Sequence, residues 1–329
     1  MKKFSVVLSV LLIATLVLAA CGQSGDNGGS ASKDGGNLSL GTGSTGGTYY
    51  PLGGAISNVW NKEIDGVNVT PQATGASVEN LALIGKGEMD LGMAVNMTAD
   101  DAYHGRGDFE GNKIDNFGAV GVIYPEVIQI VVLKDSGIEK IEDLKGKRVA
   151  VGPQGSATVN TTRDILEAYG MTFDDIKPFY DGFGDAADKL KDGHLDASFG
   201  ILGLPTSSIE EITATSEVRL LEVSDEAIKK LQEKRPFYQP LTIEGGTYKG
   251  QDEDVQTVTL KAVLYASNDL SEDLVYNLTK VMYEKQAEIA KSHKTGEQID
   301  LEKALEGVTT PIHPGAKKYF EEQNIPLPE

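Results

Sequence analysis

The chain has 329 residues, 40% hydrophobic and 24% charged, with 49 acidic against 30 basic side chains and a net charge of −19. That length is enough for two lobes with cores of their own, and the acidic excess argues against nucleic-acid binding and against a polybasic membrane patch. The only cysteine, Cys21, has no disulfide partner, so the fold must be held by its core.

Lys2-Lys3 followed by the apolar run Phe4 to Ala20 reads as a secretory signal. The run closes on Leu18-Ala19-Ala20-Cys21, which resembles the lipobox of bacterial lipoproteins. We therefore expect a signal peptide at 1–20, lipidation of Cys21 and anchoring to the outer face of the bacterial cytoplasmic membrane. An uncleaved membrane helix is the competing reading, since the run is nearly long enough to span a bilayer. Residues 21–37, rich in Gly, Ser, Asn and Asp, are expected to be a flexible tether.

From Leu38 the chain alternates as a short strand and runs into Gly41-Thr-Gly43-Ser44-Thr45-Gly46-Gly47-Thr48-Tyr49-Tyr50-Pro51. A helical spacing of Leu52, Ala55, Ile56, Val59 and Trp60 follows, with Pro51 suited to a first turn. Such a strand–loop–helix corner aims backbone N–H groups and a helix N-terminus at one spot, where anionic oxygens collect. Gly41 to Gly46 is also a literal G-x-G-x-x-G, but the second strand, Val67 to Thr70, runs into Pro71-Gln72-Ala73-Thr74 without the acid that would hold a ribose. As a P-loop the stretch lacks its lysine, because Gly47 occupies that position.

Thr74-Gly75-Ala76-Ser77 opens a helix that stops at Gly85-Lys86-Gly87, and Glu88 to Val95 is a third strand. The grammar then repeats. Lys147 to Val151 is a strand, Gly152 to Thr158 its glycine–hydroxyl corner, Val159 to Tyr169 a helix, Ile176 to Tyr180 a strand and Asp185 to Lys191 a helix. Gly193-His194-Leu195-Asp196 matches Gly87-Glu88-Met89-Asp90. Two units of like length predict two α/β lobes with mainly parallel sheets, their corners facing one cleft at the carboxyl ends of the strands. Glu126 to Lys134 and Val255 to Ser267 read as the strands crossing between lobes, giving lobe 1 as 38–130 plus 268–329 and lobe 2 as 131–267. Leu274 to Ile289 repeats at helical spacing and should pack on lobe 1.

In combination these motifs resemble the TAXI-type receptors of tripartite ATP-independent periplasmic (TRAP) transporters. The matching pieces are the first corner through Gly53, Thr74 to Leu81, Gly87 to Asp90, Asp135 to Ile138, Asp143 to Val149, Gly152 to Thr158, Gly193 to Ala197, Gly203 to Thr206 and Pro311 to Ala316. The resemblance implies a periplasmic-binding-protein-like (type 2) fold with a hinge and a central cleft. It further implies a monomeric receptor that closes on a small carboxylate, a glutamate- or glutamine-like amino acid or a dicarboxylate, and docks on the TRAP permease subunits. Two departures stand out: Asn96-Met97-Thr98 replaces a frequent Gln-Ser-Asp, removing an acid that could meet a ligand amine, and Ala157 stands where glycine is common.

The candidate ligand residues are Ser44, Thr45, Gly46, Tyr49 and Tyr50 from the first corner, Thr74, Ala76 and Ser77 from the next, and Asn96 and Met97 where the third strand ends. The second unit offers Ser156, Ala157, Thr158 and Asn160, with Phe183, Pro205 and Thr206 as a rim. Helix capping alone competes for each hydroxyl. No catalytic residue, metal or cofactor is expected: the histidines His104, His194, His293 and His313 lack zinc spacing, and no Gly-x-Ser-x-Gly elbow occurs. A secreted lipoprotein enzyme acting on a small metabolite, and a ligand-sensing or surface immunogenic lipoprotein without a transport role, are the alternatives.

Overall fold

The structure, a computed structural model, describes residues 33–328. The signal at 1–20, Cys21 and the tether as far as Ser32 lie outside the described residues. Lys33 is already tied down: its N–H donates to the Asp269 carbonyl at 2.8 Å, and its ammonium meets Asp90 at 3.1 Å. Strand β1 (Gly36–Gly41) starts before Leu38. The last residues of the stretch read as tether, 33–37, are thus attached to the folded body. Their composition gave no sign of it, because the partners lie far away in sequence.

The first repeated unit runs β1, α1 (Tyr49–Glu63), β2 (Val67–Gln72), α2 (Ser77–Gly85) and β3 (Leu91–Val95). Helix α3 (Asn96–His104) follows directly, and the long strand β4 (Phe117–Leu133) leads to the second unit. That unit runs β5 (Arg148–Ala150), α4 (Ala157–Ala168), β6 (Lys177–Phe179), α5 (Phe183–Lys191) and β7 (Ala197–Leu202). Next come α6 (Ser207–Thr215), β8 (Val218–Leu220), α7 (Asp225–Lys234), β9 (Gln239–Ile243) and the second long strand, β10 (Val255–Ser267). Helices α8 (Glu272–Glu284), α9 (Gln286–Ser292) and α10 (Pro314–Glu322) complete the chain.

The strands lie in the order β2-β1-β3-β10-β4-β7-β5-β6, with β8 on β4 and β9 on β10. Within β2-β1-β3 and within β7-β5-β6 the strands are parallel, and each unit's first strand sits in the middle. The antiparallel pair β10/β4 joins the two groups. This is the two-lobed α/β architecture that the repeat predicts.

The repeated Gly-x-x-Asp has a mechanical reason. Asp90 Oδ2 accepts from the Ser39 N–H at 2.8 Å, and Asp196 Oδ2 accepts from the Arg148 N–H at 2.7 Å. Each aspartate thereby braces the central strand of its own unit, and the hydrogen-bonded Arg148 guanidinium holds the Asp196 carboxyl below the usual range.

Each half has its own core. Leu40, Leu52, Ile56 and Trp60 pack with Leu264, Leu278 and Met282, as the helical spacing from Leu274 to Ile289 predicts, although that stretch divides into α8 and α9. Val149, Ile165, Leu166, Phe199 and Leu231 pack in the second half, and Leu190, Ile209 and Ile212 gather on the other face of its sheet. Strand β4 begins nine residues before the expected Glu126. A methyl group on Gly118 would strike the His313 backbone and one on Gly121 the Tyr283 hydroxyl. These glycines let the C-terminal segment lie against an unbroken strand.

Candidate ligand cleft between the halves

The loops after β1, β2, β5 and β6 converge on one cavity of about 30 Å³. That is room for a water molecule or two. The halves are closed over it. The Thr48 hydroxyl accepts from the Gly203 N–H at 2.8 Å, the Ser44 hydroxyl from the Phe183 N–H at 3.3 Å, and the Gly155 carbonyl from the N–H groups of Val78 and Glu79 at 2.9 and 3.1 Å. Gly46 lies so close to Gly184 that a methyl group on it would overlap the Gly184 backbone.

Four helices begin at this cavity. Tyr49 of α1, Ser77 of α2, Ala157 of α4 and Phe183 of α5 are the first residues of their helices, and all four line it. A helix start carries a partial positive charge, so four of them around one cavity suit an anion. At none of the four does the preceding residue's side chain cap the helix; across the division, however, the Ser44 hydroxyl takes the first N–H of α5 and the Gly155 carbonyl takes the Val78 and Glu79 N–H groups of α2. At α2 the preceding residue, Ala76, holds a φ of 82°, rare for an L residue. The Thr74 hydroxyl keeps it there by accepting its N–H at 3.0 Å. Strain of this kind, typically about 1–3 kcal/mol, collects at binding sites.

Of the residues expected at the site, the structure brings together Ser44, Tyr49, Ala76, Ser77, Ser156, Ala157, Thr158 and Phe183 around the cavity. Between the two tyrosines, Tyr49 faces the cavity and Tyr50 does not. The others do not line it. Thr45 is exposed and Gly46 is spent on the contact with Gly184. Thr74 acts one step back, through Ala76. Asn96 donates to the Gly307 carbonyl at 2.9 Å and accepts from the Lys261 N–H, because β3 turns straight into α3 and swings the side chain to the C-terminal loop. Met97 is buried in the core with Ile128 and Leu260. Asn160 donates to Asp108 across the halves at 2.5 Å. Pro205 is absent from the lining, and the Thr206 N–H is held by the Tyr248 hydroxyl at 3.0 Å.

Sequence reasoning missed Gly43, Gly47, Thr48, Val95, Tyr124, Glu126, Ile201 and Leu202. Glu126 matters most. It is 2% exposed, its Oε1 accepts from the Tyr124 hydroxyl at 3.0 Å, and its Oε2 has no protein partner. Burial pushes its carboxyl up to about 8. Burial first, then the neighbouring Glu126, drives both tyrosines well above their ordinary value, so both stay protonated. The Tyr49 hydroxyl and the Ser156 hydroxyl are likewise buried without a protein partner. Three unpartnered polar atoms in one small cavity are far from the usual satisfied interior. The signal in the sequence was Tyr124-Pro125-Glu126: residues two apart on a strand share a face.

A model of the NMT1-like family matches residues 40–323. The chain belongs to that family. Its fold is also seen in solved structures. PhnD1 from Prochlorococcus marinus, in complex with methylphosphonate, is 13% identical over 88% of this chain and 99% of its own, with a TM-score of 0.54. A protein from Bordetella bronchiseptica RB50 is 16% identical over 89% and 90%, with a TM-score of 0.52. At these identities the likeness establishes a shared two-lobed α/β fold for this NMT1-like chain. Among the described residues no group of three or more His, Cys, Asp or Glu could hold a metal ion, and no helix is long and apolar enough to cross a membrane.

Proposed function

We propose that this NMT1-like protein is an extracytoplasmic receptor that captures a small carboxylate between its halves and delivers it to a membrane permease. The observation that carries the reading is the convergence of four helix starts on one interlobe cavity lined by unpartnered polar atoms. Hydrogen bonds to a charged carboxylate contribute roughly 1.5–3 kcal/mol each, so four or five support micromolar binding after ordering costs. The anionic methylphosphonate in PhnD1 is consistent with that chemistry. A glutamate- or glutamine-like amino acid, or a dicarboxylate, is the favoured cargo.

A cavity of about 30 Å³ admits no such molecule until the halves part. The ligand binds one corner, the halves close, and the closed form is recognised by the permease, a population shift by hinge bending. The TAXI-like motifs favour a TRAP-type permease. In the same reading residues 1–20 are removed, Cys21 carries the lipid anchor, the receptor acts as a monomer, and the lobes comprise 38–130 with 268–329 and 131–267.

Native mass spectrometry of the purified protein, followed by thermal-shift assays with the amino acids and dicarboxylates, tests this. A bound metabolite carrying a carboxylate, and a melting shift on adding it back, are expected. A protein that carries nothing and shifts with none of them overturns the reading.

A further inference from the structure

A carboxylate is an odd lining for a cavity built to hold an anion. Glu126, on β4, lines the same cavity as the first residues of the four helices, and no lysine, arginine or histidine is among the lining residues. The groups facing it are neutral donors: Tyr49 from α1 and Tyr124 from its own strand. On the neighbouring strand β10, its register partner is Leu260. The next residue there, Lys261, is committed to Glu306 at 2.9 Å. A carboxylate so buried and unpaired cannot stay charged in the empty closed protein, and holding a proton is the inexpensive solution. Yet one of its oxygens is left without a partner, beside the unpartnered Tyr49 and Ser156 hydroxyls.

We propose that Glu126 exchanges its proton for a cationic group on the ligand. The inference rests on the receptor reading above and narrows it: the cargo is a zwitterion, with its carboxylate at the helix starts and its ammonium against Glu126. In the empty closed state the residue is a neutral acid. When the ammonium group arrives, the Glu126 O–H bond breaks, the proton leaves to solvent through the opened cleft, and the carboxylate left behind accepts from the ammonium. No electron changes hands; the Glu126–ammonium pair is neutral overall, as the protonated acid was before it, and the ligand's own carboxylate adds the negative charge that the helix starts face. A dicarboxylate without an amine offers Glu126 no such partner and brings a second negative charge close to it.

The test is titration calorimetry at pH 6.5 in two buffers of different protonation enthalpy. The probes are L-glutamate, L-glutamine and L-aspartate, each beside its amine-free counterpart glutarate, glutaramate and succinate. The expected result is that an amino acid binds with release of close to one proton, and its amine-free counterpart binds roughly 10- to 100-fold more weakly with none. Glu126→Gln keeps the size and the hydrogen bond from Tyr124. It should abolish proton release and weaken the amino acid by a similar factor, while melting no lower than wild type at pH 7.5. Equal affinity for an amino acid and its counterpart, or undiminished proton release in Glu126→Gln, overturns the proposal and leaves the receptor reading standing. So does binding of the dicarboxylates alone. Binding of none of the probes, with no carried carboxylate in the mass spectrum, removes both.

Discussion

Arg235, at the end of α7, donates to both carboxylate oxygens of Asp101 on α3, at 2.5 and 2.6 Å, across the division between the halves. The pair does not line the interlobe cavity and is largely shielded, with side-chain exposures of 27% and 13%. It can therefore hold the closed form without touching cargo. Removing one partner of a shielded pair exposes the other to an uncompensated cost, here on the order of 1–2 kcal/mol because Arg106 also reaches Asp101. Arg235→Ala should increase the radius of gyration of the unliganded protein in small-angle scattering and weaken the ligand about tenfold. An unchanged radius and affinity would show that the pair does not govern closure.

Gly46 tests closure from the other side of the cleft. Nothing obstructs a methyl group there except the Gly184 and Phe183 backbone of the opposite half, so Gly46→Ala should fold normally and fail to shut. We expect a melting temperature within a few degrees of wild type and at least a tenfold loss of affinity. A variant that binds as well as wild type would mean that the corners have slack.

Ser156 separates binding from stability. Its buried hydroxyl has no protein partner, so replacing it leaves no other group stranded. Ser156→Ala should melt at or slightly above the wild-type temperature while losing several-fold in ligand affinity. Equal affinity in the mutant would remove Ser156 from the site.

Two buried groups should bend the stability profile in opposite directions. Glu126 titrates at about 8 in the folded protein, above the ordinary 4.5 of a glutamate, so its contribution is complete below about pH 4.5 and is lost as pH rises through 8. Each unit is worth about 1.4 kcal/mol. The melting temperature of Glu126→Gln relative to wild type should climb between pH 5 and 8. A flat difference would contradict the burial argument.

His313 behaves the other way. Burial lowers it to about 4, and its neutral ring accepts the Gly315 N–H at 3.2 Å as the cap of α10, a structural duty. A depressed histidine contributes fully above its ordinary 6.5 and loses that contribution as pH falls through 4. His313→Asn supplies a cap acceptor that does not protonate. Against this variant, wild type should lose ground on acidification from pH 6.5 to 4, as scanning calorimetry would reveal.

How far the sequence could be read depended on whether a feature was local. The glycine–hydroxyl corners and the Gly-x-x-Asp strands were legible because each is a short pattern that occurs twice, and Ser44, Tyr49, Ser77 and Ser156 followed from them. Glu126 was not, because a lone acid at the head of an apolar run looks like a strand end. Only the extension of β4 through Phe117 buries it. Asn96 was misplaced for a related reason: the residue after β3 was assigned to the cleft by position, whereas its side chain is claimed by Gly307 in a distant loop. Thr206 and Asn160 likewise answer to partners, Tyr248 and Asp108, that no spacing rule connects to them.

Strands β4 and β10 run side by side through the whole joint, paired from Thr259↔Val127 to Ser267↔Phe117, with irregularities at Ala262/Val263 and Leu264/Tyr265. A two-ply ribbon resists sliding and torsion because either would break a ladder of amide bonds, but it flexes readily where the ladder slips. The expected behaviour of the joint is that of a leaf spring with a single soft direction. Any membrane protein that straddles both rims would sense occupancy as one angle.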